Sequence, residues 1–147
     1  GPTPITAMKT VSERRTFAAP PDRVRDLITE DVPAFVRASG FDEVTVEGEH
    51  ITVSRDVGLA TFQLTLAPID GDAVLEFEQT DGLFEAMWTA YRVELAPEGC
   101  TLSAETEFTL GGVLGPVLDS TLIERQRRQE FDLQFDYVAE RLDEGED

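Results

Sequence analysis

The residues best placed to do chemistry are polar side chains on faces the sequence otherwise makes apolar. Arg55 shares strand parity with Ile51, Val53 and Val57, so its guanidinium should point inward. Thr89 and Tyr91 share a face with Val93, and Thr106 lies between Ala104 and Phe108. On a long C-terminal helix, Arg127 and Gln134 fall on the stripe of Phe131 and Phe135. Glu13 and Arg15 share parity with Val11 and Phe17. Buried charge is costly unless paired or wet, so these groups demand partners. Two readings stand open. Glu13, Arg15, Arg55 and Arg127 could form ion pairs at the ends of a cavity. Alternatively, Arg55, Tyr91 and Arg127 could line a partly hydrated cavity and orient a ligand's polar head. The apolar lining would then be Phe62, Leu64, Leu75, Phe77, Val93, Phe108, Phe131 and Phe135.

Other chemistry is poorly represented. The one histidine, His50, sits beside a predicted turn with parity opposite to Ile51 and Val53, which suits a solvated hairpin residue better than a general base. One His and one Cys cannot assemble the usual zinc ligand sets. Carboxylates are so abundant that any acid/base pairing of them carries almost no information. No Gly-rich phosphate loop stands between a strand and a helix, and Gly111, Gly112 and Gly115 read as a hinge-like approach to the last helix. No cofactor and no metal are therefore expected.

The elements that must hold these groups follow from periodicity. Lys9 to Ala18 alternates as a strand. Pro21 suits a first helical turn, with Val24, Leu27 and Ile28 as an apolar stripe. Glu30 to Ser39 reads as a second short helix stopped by Gly40. From Phe41 the period becomes two, predicting strands over Glu43–Glu47, Ile51–Val57, Leu59–Ala67, Ala73–Thr80, Met87–Ala96 and Thr101–Leu110. Trp88 sits near the start of its strand, where core packing is the simplest reading and a cavity cap or an exposed partner surface the alternatives. The last helix is predicted from Pro116 to Leu142, with Phe131, Phe135, Val138 and Leu142 on one face. Leu118, Leu122, Leu133 and Tyr137 make a second stripe, suited to packing on the short helices or to a homodimer contact. Glu124 to Glu130 is polar throughout. The order strand, two helices, six strands, helix predicts an α+β layer in which a curled antiparallel sheet of about seven strands wraps the C-terminal helix.

Composition narrows the setting. The chain has 147 residues, 12 basic against 30 acidic, and a net charge of −18, which should repel nucleic acid. Lys9 is the sole lysine. Acid excess with so little lysine is similar to the proteins of extreme halophiles, where molar salt screens self-repulsion. No apolar run approaches the roughly 20 residues of a membrane span. The opening GPTPITA has neither the basic region nor the apolar core of a signal peptide. It reads as a vector-derived remnant or disordered leader, with Met8 as the native start. The single cysteine, Cys100, excludes an intramolecular disulfide and makes a reducing, cytoplasmic interior the default.

The first strand ending in Phe17-Ala-Ala-Pro-Pro, the helix segment Val24-Arg-Asp-Leu-Ile, the paired late strands and Leu110-Gly-Gly-Val-Leu-Gly before the last helix carry a resemblance. Together they resemble the START-like (SRPBCC) superfamily with the helix-grip fold, in particular its polyketide cyclase/dehydrase and coenzyme Q-binding groups. The resemblance implies one START-like domain over residues 8–142, followed by an acidic tail at 143–147. It also implies a cavity between sheet and last helix that holds a small hydrophobic molecule. Relatives often carry an aromatic after the position of Val24, where this chain has Arg25. Binding or transport of a lipid, quinone or polyketide-like ligand is the first expectation. A cyclase/dehydratase- or hydrolase-type enzyme acting in the same cavity and a protein-interaction module are the alternatives.

Overall fold

The computed structural model describes residues 8–57, 59–110 and 120–144. The elements run β1 (Lys9–Phe17), α1 (Pro21–Thr29), α2 (Val32–Arg37), β2 (Glu43–Glu47), β3 (His50–Val57), β4 (Ala60–Pro68), β5 (Leu75–Gly82), β6 (Phe84–Ala96), β7 (Gly99–Leu110) and α3 (Ser120–Glu144). The strands form one seven-stranded sheet in the order β1-β7-β6-β5-β4-β3-β2, antiparallel throughout. The architecture is α+β, with a curled sheet wrapped around α3: a helix grip.

Local physics explains where the boundaries differ from expectation. Helix α2 is shorter than Glu30–Ser39 because the Asp31 carboxylate accepts from the Ala34 N–H at 3.2 Å, capping the chain there. The Ser39 hydroxyl donates to the Val36 carbonyl at 2.6 Å just past the last turn. Strand β6 begins at Phe84, three residues earlier than Met87. The Gln79 carboxamide bonds both backbone groups of Phe84, accepting from its N–H at 3.1 Å and donating to its carbonyl at 2.7 Å. Gly82, at φ +147°, supplies the backbone conformation that the β5–β6 reversal needs. Helix α3 runs to Glu144. The expected start at Pro116, with Leu118 and the Gly111–Gly115 approach, lies outside the described residues.

Strand β7 alternates strictly. Cys100, Leu102, Ala104, Thr106, Phe108 and Leu110 are buried, while each intervening residue is half-buried. Register shifts at Thr65/Leu66 and Phe84/Ala86 bend their strands and deepen the curl. The second shift puts Phe84 and Met87 on the same inner face although they are three residues apart. The C-terminal half of α3 fills the concave side with Phe131, Phe135, Val138 and Leu142, all buried. It packs beside Val24 and Ile28 of α1 and Phe35 of α2, which are fully buried.

Trp88 is not in the core. It stands half-buried on the outer face, its indole N–H donating to Glu76 Oε2 at 2.7 Å. The second helix stripe is only partly engaged. Tyr137 meets the Phe35 ring at 6.2 Å, whereas Leu133 and Leu122 are exposed. No helix among the described residues is long and apolar enough to cross a membrane.

Candidate ligand-binding site

Sheet curl leaves a gap under the first turns of α3, away from the tightly packed C-terminal half. A cavity of about 240 Å³ opens there, lined by Phe41, Arg55, Phe62, Leu64, Leu83, Phe84, Leu122, Ile123, Gln126, Arg127 and Glu130. A void of about 30 Å³, large enough for a water molecule, lies deeper. Phe41, Leu64, Arg127 and Glu130 border both spaces.

Arg55 and Phe62 face each other across the β3–β4 pair, so the guanidinium and the ring share the concave side. The Arg55 guanidinium carbon lies 5.4 Å from the Phe41 ring centroid, and Nη2 donates to the Ser39 carbonyl at 3.3 Å. Gly40, between those two residues, has φ +107°, and a Cβ there would lie 2.9 Å from that nitrogen. Glycine thus lets the backbone curve closely around the guanidinium.

Arg127 is the buried polar centre. Its Nη1 donates to Glu130 Oε1 at 2.9 Å, and its Nη2 donates to Thr106 Oγ1 at 2.9 Å and Thr89 Oγ1 at 3.0 Å. The guanidinium carbon lies 5.8 Å from the Phe131 centroid. Thr89 and Thr106 are directly paired across β6 and β7, with hydroxyls 2.9 Å apart. The Thr106 hydroxyl donates onward to the Trp88 carbonyl at 2.9 Å. Arg127 Nε is buried with no hydrogen-bond partner among the described residues. Arg127 and Glu130 are 7% and 5% exposed, so this pair is shielded from water in a way the surface pairs are not. Arg15–Asp136 at 2.8 Å and Arg128–Glu13 at 3.4 Å are half-exposed and border neither space.

Tyr91 packs edge-on against Phe35 and Phe131, at 4.9 and 6.0 Å between centroids. Its hydroxyl donates to Gln134 Oε1 at 2.8 Å. Burial raises the phenol's pKa well above its ordinary value; Arg127 and the Gln134 hydrogen bond oppose that rise, and Glu130 adds to it. The neutral phenol therefore persists through the physiological range, as a donor and not a base.

Of the residues expected to line the cavity, Arg55, Phe62, Leu64 and Arg127 border the larger space. Phe77, Tyr91 and Phe131 border only the deeper void. Leu75, Val93, Phe108 and Phe135 border neither. Val93, Phe108 and Phe135 are buried in the closed part of the core, and Leu75 is half-buried opposite Tyr91 on β5. Parity assigned their face correctly, but it carries no information about depth along the helix. Phe108 stands behind Phe84, with ring centroids 5.2 Å apart, which keeps it off the cavity surface. Glu13, Arg15 and Arg127 do form ion pairs, but only that of Arg127 borders the cavity; among the described residues Arg55 has no carboxylate within 4.0 Å.

Sequence reasoning missed Glu130, counting it within a polar stretch. The signal was present: Glu130 lies three residues after Arg127 and four before Gln134, on the same helical face. Phe41, Leu83 and Phe84 were missed because they sit at strand boundaries, where alternation gives no orientation. His50 is exposed at the β2–β3 turn, paired opposite Glu47. No group of three or more metal-ligating side chains occurs among the described residues.

No protein-family model matches this sequence, and no curated protein matches it. Solved structures do. The Zhui aromatase/cyclase from Streptomyces sp. R1128 is 17% identical with a TM-score of 0.69, covering 92% of this chain and 96% of its own. A START superfamily protein from Mycobacterium smegmatis is 10% identical with a TM-score of 0.65, covering 93% and 97%. A point mutant of norcoclaurine synthase from Thalictrum flavum, in complex with a transition-state analogue, is 12% identical with a TM-score of 0.61, covering 95% and 99%. At these identities the likeness establishes the fold alone, a seven-stranded antiparallel sheet gripping a long C-terminal helix.

Proposed function

We propose that this chain, with its START-like helix-grip fold, binds a small hydrophobic molecule in the cavity beneath the first turns of α3. One observation carries the reading. A space of about 240 Å³ is walled by Phe41, Phe62, Leu64, Leu83, Phe84 and Ile123, with its few polar groups gathered at Arg55, Gln126, Arg127 and Glu130. An apolar chamber with convergent polar groups is the usual form of a small-molecule site. The volume lies below the roughly 300–1,000 Å³ typical of drug-sized ligands, so the ligand, or the part that enters, is small.

Within that class we favour a lipid-, quinone- or polyketide-like molecule, carried and not transformed, in a cytoplasm rich in salt. The acidic surface supports the salt-rich setting and argues against a nucleic-acid partner. A second reading, an enzyme of cyclase or dehydratase type, draws support from Glu130, a 5%-exposed carboxylate on the cavity wall. Beside an apolar ligand it is the one buried carboxylate near enough to accept a proton among the described residues. The exposed Leu122 and Leu133 leave a homodimer contact as a further proposal.

Native mass spectrometry of the protein purified from its own cells tests the first reading. A retained apolar molecule of defined mass, released by denaturation, is the expected result. An empty protein that also fails to take up apolar probes would overturn it.

A further inference from the structure

We infer that the cavity selects ligands bearing one negative charge, a carboxylate being the simplest, and that Arg55 meets that charge; this rests on the ligand-binding reading above. Among the described residues three charged side chains face the cavity: Arg55, Arg127 and Glu130. Arg127 and Glu130 neutralise each other at 2.9 Å, and the two threonines occupy the other terminal nitrogen of Arg127. That leaves the described part of the wall with a surplus of one positive charge, at Arg55.

The surroundings of Arg55 keep that surplus available. The Phe41 ring lies against the guanidinium, and its one hydrogen bond among the described residues, to the Ser39 carbonyl, is long at 3.3 Å. A guanidinium carries five N–H donors in a planar fork, so most remain free for a carboxylate. In a chain with 30 acidic residues, no carboxylate of the described residues comes within 4.0 Å of it. A neutral head would leave the cation uncompensated in a largely apolar chamber, and a dianion would bring one charge too many. A monoanion balances the wall, and the fork geometry favours a planar carboxylate over a point charge.

Titration calorimetry with octanoate, octanol and octylamine decides the matter, in molar KCl so that the −18 background is screened. Wild-type protein should bind octanoate about tenfold or more tightly than octanol, as charge-assisted hydrogen bonds require, and octylamine most weakly. Arg55→Gln should bring octanoate binding down to the level of octanol. Arg55→Lys should keep part of the preference. Equal binding of octanoate and octanol by wild type would overturn the monoanion inference while leaving hydrophobic binding intact. Failure of all three to bind would overturn the cavity reading itself. An octanoate preference that survives Arg55→Gln would remove Arg55 from the account. Should Arg55→Gln fail to fold, the wild-type series and Arg55→Lys still decide.

Discussion

The Tyr91 hydroxyl donates to Gln134 Oε1 at 2.8 Å, and the same carboxamide donates through Nε2 to the Phe35 carbonyl at 3.2 Å. One buried side chain on α3 thereby joins β6 to α2 through the centre of the core. Both groups are almost fully removed from water, at 5% exposure for Tyr91 and 2% for Gln134. Tyr91→Phe strands Gln134 Oε1 without a partner and should cost about 1–3 kcal/mol in urea unfolding. Gln134→Leu in the Tyr91→Phe background should then cost less than it does in the wild type, because the stranded oxygen goes with it.

Tyr91 also sets an alkaline limit. Its folded pKa lies above the unfolded value of about 10, with burial the leading cause. The native state then holds the proton that the unfolded state loses, so this contribution is complete below about pH 10 and declines as pH rises beyond it. Cys100 and Tyr137 are shifted in the same direction by burial and add to the decline. Unfolding free energy measured from pH 8 to 11 should fall less steeply in Tyr91→Phe. Identical slopes would show that the phenol is not held neutral.

The pair Arg127 and Glu130 is buried at 2.9 Å on one helix face. Removing either partner leaves a charge in the core, so Arg127→Met and Glu130→Leu should each cost about 3–5 kcal/mol. The double variant should be more stable than the sum of the single effects implies, by about 1–3 kcal/mol. Additive losses in denaturant titrations would mean that the two charges do not compensate each other.

Ile123 faces the cavity from the first turns of α3 and is only partly buried. Ile123→Trp should fill space that holds no protein atoms, leaving the melting temperature within a few degrees of the wild type. Retention of apolar ligand, followed by native mass spectrometry, should fall sharply. Undiminished retention would place the ligand elsewhere.

A net charge of −18 on a 147-residue chain opposes the compact state at low salt. Melting temperature should rise from dilute buffer to molar KCl as the Debye length shrinks from tens of ångströms to about 3 Å. A flat dependence would exclude adaptation to a salt-filled cell.

The sequence by itself determined the order of elements and the inner face of each strand. Alternation of apolar and polar residues admits one buried face, and β7 obeys it from Cys100 to Leu110. It also determined that Arg55, Tyr91, Arg127 and Gln134 turn inward, since each interrupts an apolar series of fixed period. It did not reveal that Arg127 and Arg55 have different circumstances. Both read as inward cations, but only the fold brings Glu130, Thr89 and Thr106 around one and leaves Phe41 and Ser39 beside the other. Nor did it separate cavity from core. Phe62 and Phe135 satisfy the same pattern, yet one lines the chamber and the other is sealed beneath α3. Periodicity reports the direction of a side chain from its own backbone. Whether an opposing surface meets it depends on sheet curl, on two register shifts and on how far the helix has crossed, which are properties of distant residues brought together.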